Sequence, residues 1–243
     1  MRALSLFAFL SVSIAIAHES PPQSASISME ETTALNARLG KARDLIKAHH
    51  SDQAISEHLD LIINRYVGAY RESKQLIFCA RDAVETLIYV AAAATAVDKG
   101  ATNQGAEVIG PTWAEAYLMK GFAFVELGNL AAAHDSLQAA VRLSPQNPQY
   151  ISELAYVTQQ QGNSEEALAL FASAADAAEF VQDSVRKRAE AGRACRGQAY
   201  AFVELKRLDE GEKKYRACLK IDPSDKIAPN ELEYIKKVRA TNR

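Results

Sequence analysis

The sequence predicts an all-α fold, a solenoid of antiparallel helix pairs with an N-terminal helical extension and a C-terminal capping helix. The first observation is the segment 113–145, in which two helical apolar patterns flank a Leu-Gly-Asn turn. The second is that a shift of about 34 residues places Gly162 on Gly128. The third is that the letters AFVEL of 123–127 recur at 201–205. Because one such unit cannot bury its apolar face alone, we expect the copies to stack.

Three repeats are predicted, over 114–147, 148–181 and 192–225, and an insertion at 182–191 lengthens the first helix of the third. Small residues occupy the positions where the two helices of a repeat approach closely, and larger side chains lie beyond them. These small residues are Gly121, Ala133, Ala155, Ala167, Ala199 and Gly211. Proline follows the second helix of the first and third copies, since it cannot continue a helix.

These residues resemble the tetratricopeptide repeat (TPR) family, and the resemblance covers 111–225. The first copy fills the marked positions with Ala114, Glu115, Ala116, Tyr117, Gly121, Phe124, Gly128, Ala133, Ala140 and Pro145. The second copy has Glu179 in place of the final proline, and the third has Lys206 and Gly211 where the family prefers glycine and alanine. The resemblance implies a right-handed superhelix whose concave face binds peptides or proteins.

The first residues have the form of a signal peptide, 1–17. Arg2 supplies a positive charge, an apolar run follows, and Ala15-Ile16-Ala17 has the small-x-small form of a cleavage site. We expect cleavage after Ala17 and export to a bacterial periplasm, which would make this a bacterial exported member of the family. A retained membrane anchor is the alternative. Residues 18–28 are polar with two prolines and are predicted to form a flexible arm.

Residues 29–98 are predicted to form an N-terminal helical region. Ser28 and Glu31 have capping-box spacing, and helical patterns begin there, at Ser51, and at Gln75, the last running to Val97. These helices lack the family's marks, so their pairing stays open.

Two further segments complete the chain. Residues 99–111 contain three glycines and a proline and predict a loop, either a plain connector or a functional segment. Residues 226–243 predict a capping helix and tail, in which Leu232 and Ile235 cover the open end of the stack.

The formal net charge of −2 gives no electrostatic reason to expect a nucleic-acid or anionic-membrane partner. Beyond the first residues no apolar run is long enough to span a membrane, so the mature chain is expected to have no membrane span.

Under the resemblance, the first helix of each repeat lines a groove. One groove position is aromatic in all three copies, as Phe122, Tyr156 and Tyr200. The neighbouring groove positions are Leu118, Val125, Ser152, Gln159, Arg196 and Val203. The aromatic residues either anchor a ligand or pack between repeats. The groove lacks the lysine and asparagine set with which some family members bind a C-terminal carboxylate, so that ligand is not predicted.

Cys195 and Cys218 lie at matching distances on either side of the turn in the third repeat. Antiparallel pairing brings them to one level, where they form either a disulfide or two small buried residues. Cys79 is expected to remain a single buried cysteine. The spacing of His49, His50 and His58 does not predict a metal site.

The sequence has no phosphate-binding glycine loop, nucleophile elbow or metal-ligand helix motif, and we predict no catalytic residues, cofactor or metal. We expect a non-catalytic protein–protein interaction scaffold or adaptor of the cell envelope, with a protein or peptide partner. The alternatives are a self-associating structural subunit, and a small-ligand binding protein or enzyme that uses 99–111 as a lid.

Overall fold

The computed structural model describes residues 27–100 and 105–241. Over these residues the chain has an all-α, TPR-like fold, in which consecutive helices pack as antiparallel pairs and the pairs stack. The predicted signal peptide and residues 18–26 of the predicted arm lie outside the described residues, as do 101–104 of the predicted loop.

The segment before the repeats contains helices and two short strands. They are α1 (Met29–Lys47), α2 (Ser51–Ala54), α3 (Asp60–Tyr70), β1 (Leu76–Cys79), α4 (Ala83–Asp98) and β2 (Ala106–Ile109). A π-helical turn, Ile55–Leu59, joins α2 to α3. The Ser28 hydroxyl caps α1 by accepting a hydrogen bond from the Glu31 N–H at 3.1 Å.

The prediction of one helix from Gln75 to Val97 is wrong at its start, because residues 76–79 form β1. This strand pairs in parallel with β2, with Leu76 opposite Ala106. The helix begins after Asp82, whose carboxylate accepts hydrogen bonds from the N–H groups of Val84 and Glu85, both at 3.0 Å. Part of the predicted 99–111 loop is therefore a strand.

The helices of the three repeats follow. They are α5 (Thr112–Glu126), α6 (Leu130–Leu143), α7 (Pro148–Gln160), α8 (Ser164–Ala178), α9 (Ser184–Glu204) and α10 (Leu208–Ile221). The turn inside each repeat needs a left-handed residue, with φ of 74° at Gly128, 88° at Gly162 and 62° at Lys206. Lys206 holds this conformation without glycine's freedom, so the third turn is the strained one.

The first repeat packs on the N-terminal region through stacked aromatic rings. The ring centroid of Trp113 lies 5.5 Å from that of Tyr66 and 5.8 Å from that of Tyr70. These residues belong to a core cluster that also contains Leu39, Leu59 and other buried residues of α1–α3. The N-terminal helices thus cover the first end of the stack.

The insertion in the third repeat forms the first turns of α9 and contacts a distant part of the chain. Glu190 on α9 accepts a hydrogen bond from Arg81 at 2.7 Å, across a sequence separation of 109. Arg81 also donates to Glu85 at 2.7 Å. We call the first of these contacts the 81–190 ion pair. It joins the segment between β1 and α4 to the third repeat.

The second end of the stack is covered by α11 (Ile227–Thr241). Ile235 is fully buried there and Leu232 packs against the same cluster. Asp225 begins this helix by accepting hydrogen bonds from the N–H groups of Ile227, at 2.8 Å, and Ala228, at 3.3 Å. Among the described residues, no helix combines the length and apolar character that crossing a membrane requires.

Candidate functional site

A cavity of about 490 Å³ opens between α7, α9 and α11. Two tyrosines on its rim are exposed, Tyr156 at 45% and Tyr200 at 39%, while Phe171 and Tyr215 are buried beneath it. The remaining lining residues used below are Ser152, Glu153, Gln159, Arg193, Arg196, Gly197, Ile227 and Glu231. We call this site the aromatic cavity.

Helix α7 supplies most of one wall of the aromatic cavity, and its start is well defined. Asn147 caps it by accepting hydrogen bonds from the N–H groups of Gln149 and Tyr150, at 3.1 and 3.2 Å, and Pro148 occupies the first turn, where its missing N–H is not needed. Helical spacing then places Ser152, Tyr156 and Gln159 on one face.

Two buried polar atoms of this wall have no hydrogen-bond partner among the described residues. They are Oγ of Ser152 and Nε2 of Gln159. Their residues are at least nine-tenths buried and both line the aromatic cavity. A buried polar atom without a partner carries a desolvation penalty, so a hydrogen bond to either atom would be favourable.

The arginines of the cavity are held by carboxylates of neighbouring helices. Arg193 on α9 contacts Glu153 on α7, and Arg196 lies 2.9 Å from Asp225. Desolvation disfavours the charged form of Asp225, but hydrogen bonds from the Ile227 N–H and from Arg196 hold its pKa below the usual value. These contacts fix the relative positions of the helices around the cavity.

The floor of the cavity depends on a glycine. A Cβ atom placed on Gly197 of α9 would lie 2.2 Å from the ring of Phe171 on α8. Only glycine therefore allows α9 to pass over this ring, which sets the depth of the aromatic cavity.

We expect Gly197→Ala to lower the free energy of unfolding by about 1–3 kcal/mol, since the added methyl must displace a buried ring. Chemical denaturation would measure the change. The matched control is Gly40→Ala in α1, where a Cβ meets nothing within 4 Å, and this substitution should stabilise the helix by up to about 1 kcal/mol. Equal stability of the two variants would contradict the expectation, and Phe171→Leu should partly restore the first.

Eight of the nine predicted groove residues fall into three groups in the structure. Five line the aromatic cavity, namely Ser152, Tyr156, Gln159, Arg196 and Tyr200. Leu118 and Phe122 line a second cavity between α1, α5 and α7. Val125 is half-buried against the first core cluster. The three aromatic positions therefore do not share one cavity.

The assignment of Val203 to the groove is wrong, because this side chain is buried in the core. It belongs to the cluster around Tyr215 and Ile235, and its methyl group would lie 2.9 Å from a Cβ on Gly211. It faces the second helix of its own repeat.

Eight lining residues were not predicted as groove residues: Glu153, Gln160, Phe171, Arg193, Gly197, Tyr215, Ile227 and Glu231. Two of them lie on α11, which was predicted as a cap and not as a wall of the site. A sequence signal that could have located the two α11 residues is Asp225, a helix-capping residue that places Ile227 in the first turn.

The predicted cysteine pair is bonded in the structure. Cys195 on α9 and Cys218 on α10 form a disulfide with their Cα atoms 5.6 Å apart. Cys79 is buried in β1, and burial raises the pKa of its thiol to about 12. Over the described residues, no cluster of three or more histidine, cysteine, aspartate or glutamate side chains is arranged to hold a metal ion.

Comparison with known proteins identifies the repeats. The tetratricopeptide repeat model matches residues 114–147 and 193–225. No curated protein matches the sequence. Among solved structures, the first TPR of Spaghetti (RPAP3) bound to HSP90 peptide SRMEEVD is 22% identical, with 52% of this chain and 95% of that chain covered and a TM-score of 0.45.

Two further structures are similar to the chain. The second TPR domain of human RPAP3, in complex with HSP70 peptide SGPTIEEVD, is 21% identical over 52% of this chain and 98% of that chain, with a TM-score of 0.44. YrrB, a TPR protein with an unusual peptide-binding site, is 15% identical over 86% and 100% of the two chains, with a TM-score of 0.44. The matched segments and the stacked helix pairs support the tetratricopeptide repeat family for this chain.

Proposed function

We propose that the protein is a non-catalytic interaction module that binds a peptide segment of a protein partner in the aromatic cavity. The observation that carries the proposal is the combination of exposed apolar rings with unpartnered polar atoms in one cavity. Tyr156 and Tyr200 present rings at its rim, while Ser152 and Gln159 hold polar atoms without partners.

A peptide satisfies both features at once. Tyrosine rings supply a large contact area for an apolar side chain at low entropic cost. The main chain of a peptide carries donors and acceptors that can pair with Ser152 and Gln159. The cavity, at about 490 Å³, falls in the size range of ligand sites and would hold one or two side chains of such a segment.

We place this module in the cell envelope, as an adaptor or scaffold for exported proteins. The support for this address is the signal-peptide form of residues 1–17 and the bonded pair Cys195–Cys218, since disulfides persist in oxidising compartments.

A partner captured by the wild type should be lost when the two rim tyrosines are removed. For Tyr156→Ala with Tyr200→Ala we expect affinity to fall at least about tenfold, because interface tyrosines often contribute more than 1 kcal/mol each. Crosslinking and pull-down from the native envelope would name the partner, and titration with it would give the affinity.

The matched control is Phe180→Ala, since Phe180 is an exposed aromatic residue outside the aromatic cavity. It should bind as the wild type does, and circular dichroism should show that all variants fold. Full retention of the partner by the folded double variant would contradict the proposed site.

A further inference from the structure

Three unpartnered polar atoms lie on the single helix α7. Besides Ser152 and Gln159, the hydroxyl of Tyr150 has no hydrogen-bond partner among the described residues, although its side chain is buried. Each of the three residues lines a cavity. Ser152 and Gln159 share one face of α7 with Gln149, which lines the same cavity as Tyr150, so a ligand that follows this face reaches that cavity.

The cavity at the start of α7 has excess positive charge. It measures about 360 Å³, and Arg43, Lys47, Arg81 and Glu115 line it together with Tyr150. We call it the basic cavity. Arg81 is neutralised by its two carboxylate partners, whereas Arg43 and Lys47 form no ion pair within the described ranges. The two positive charges of Arg43 and Lys47 exceed the one negative charge of Glu115.

The cavity at the end of α7 has excess negative charge. It measures about 610 Å³ and is lined by Glu165, Glu166 and Glu204. We call it the acidic cavity. Gln159 lines both this cavity and the aromatic one. The nearest guanidinium, on Arg207, lies 3.9 Å from Glu165, but its closer contact is with Glu210 at 2.5 Å.

The three cavities follow one another along α7. Gln149 at the basic cavity and Gln159 at the acidic cavity are separated by about 15 Å along the axis, at ~1.5 Å per residue. An extended chain covers this distance with about five residues, at ~3.3 Å each. The helix dipole has the same direction, with its positive end at the basic cavity and its negative end at the acidic one.

We propose that the bound segment is an extended peptide of about five residues with a fixed charge order along α7. An aspartate or glutamate side chain lies in the basic cavity, an apolar side chain in the aromatic cavity, and a lysine or arginine side chain in the acidic cavity. The Tyr150 hydroxyl donates a hydrogen bond to the carboxylate. A peptide can satisfy this order in either chain direction. The partner is therefore specified by its order of charges alone. This proposal rests on the proposed function and adds the chemistry of the partner.

The test is selection from a displayed library of random linear peptides on the whole protein, followed by affinity measurement with the selected peptides. We expect enriched sequences to carry an acidic residue on one side of an apolar residue and a basic residue on the other. Arg43→Glu with Lys47→Glu should weaken their binding about three- to tenfold at low ionic strength, and added salt should shrink the effect.

A charge exchange distinguishes pairing from structural damage. A peptide whose acidic residue is replaced by lysine should bind the Arg43→Glu, Lys47→Glu variant better than the wild type. Glu204→Lys should show the same exchange with peptides whose basic residue is replaced by glutamate. The three altered residues are exposed, so we expect the variants to fold, and circular dichroism would check this.

The outcomes separate the two proposals. The inference is supported if the selected peptides show the charge order and the charge-reversed variants prefer the charge-reversed peptides. Selected peptides that need Tyr156 and Tyr200 but show no charge order overturn the inference and leave the proposed function in place. A library that yields no binding peptide overturns both.

Discussion

Replacement of Arg81 by methionine should lower the free energy of unfolding by about 3–5 kcal/mol, because it leaves two carboxylates without their counter-ion. The Arg81 side chain is only 13% exposed, and its partners Glu85 and Glu190 are similarly buried. Arg81 donates to Oε1 of Glu190, and the other oxygen, Oε2, has no hydrogen-bond partner within 27–100 and 105–241. Arg81 is therefore the group that offsets this buried charge.

Chemical denaturation of Arg81→Met would measure the loss, and Arg216→Met serves as its control. Arg216 forms an ion pair with Glu212 at 2.7 Å but is largely exposed, so its loss should change stability by less than about 1 kcal/mol. Adding Glu85→Gln and Glu190→Gln to Arg81→Met should recover part of the stability. Similar values for Arg81→Met and Arg216→Met would show that the buried charges are not compensated by Arg81.

Reduction of the Cys195–Cys218 bond should lower the free energy of unfolding by about 3 kcal/mol. The bond closes a loop with a sequence separation of 23, and a cross-link of this length restricts the unfolded chain by roughly that amount. The loss should be seen in denaturation with and without reductant, and a Cys195→Ala, Cys218→Ala variant should be insensitive to reductant.

Thiol titration on the same samples checks the bonding itself. At mild alkaline pH the native protein should react slowly, since burial raises the pKa of Cys79 to about 12 and so removes the reactive thiolate. The unfolded, unreduced protein should show the single thiol of Cys79, and reduction should expose all 3 cysteines. Three thiols before reduction would contradict the bond.

The repeats could be predicted from the sequence because their signal is local and recurs. The small residues at helix contacts recur in each copy, and Gly128 and Gly162 impose the same turn geometry in the first two. The strand pair could not be predicted, since a four-residue apolar run next to a helix reads as part of that helix. Its partner, Ala106–Ile109, lies beyond the whole of α4, and nothing local in the sequence specifies this pairing.

The candidate site was predicted in part for a similar reason. Tyr156 and Tyr200 occupy an outward position that repeats with the period, so periodicity identifies them. Val203 has the same spacing from Tyr200 as Gln159 has from Tyr156, so periodicity places it in the groove, but in the third repeat its side chain packs on Gly211 of α10. The contribution of α11 to the site could not be predicted, because it depends on how far this helix folds back over α9. The Arg196–Asp225 contact determines that position.

The 81–190 ion pair has a mechanical consequence. In a simple repeat array each unit touches only its neighbours, so the array can stretch and bend like a spring. Here a contact with a sequence separation of 109 connects the chain ahead of the first repeat to the third. Tension that pulls these regions apart must break this contact before the intervening helix pairs can spread. We therefore expect this array to resist extension more than an array in which only neighbouring units touch.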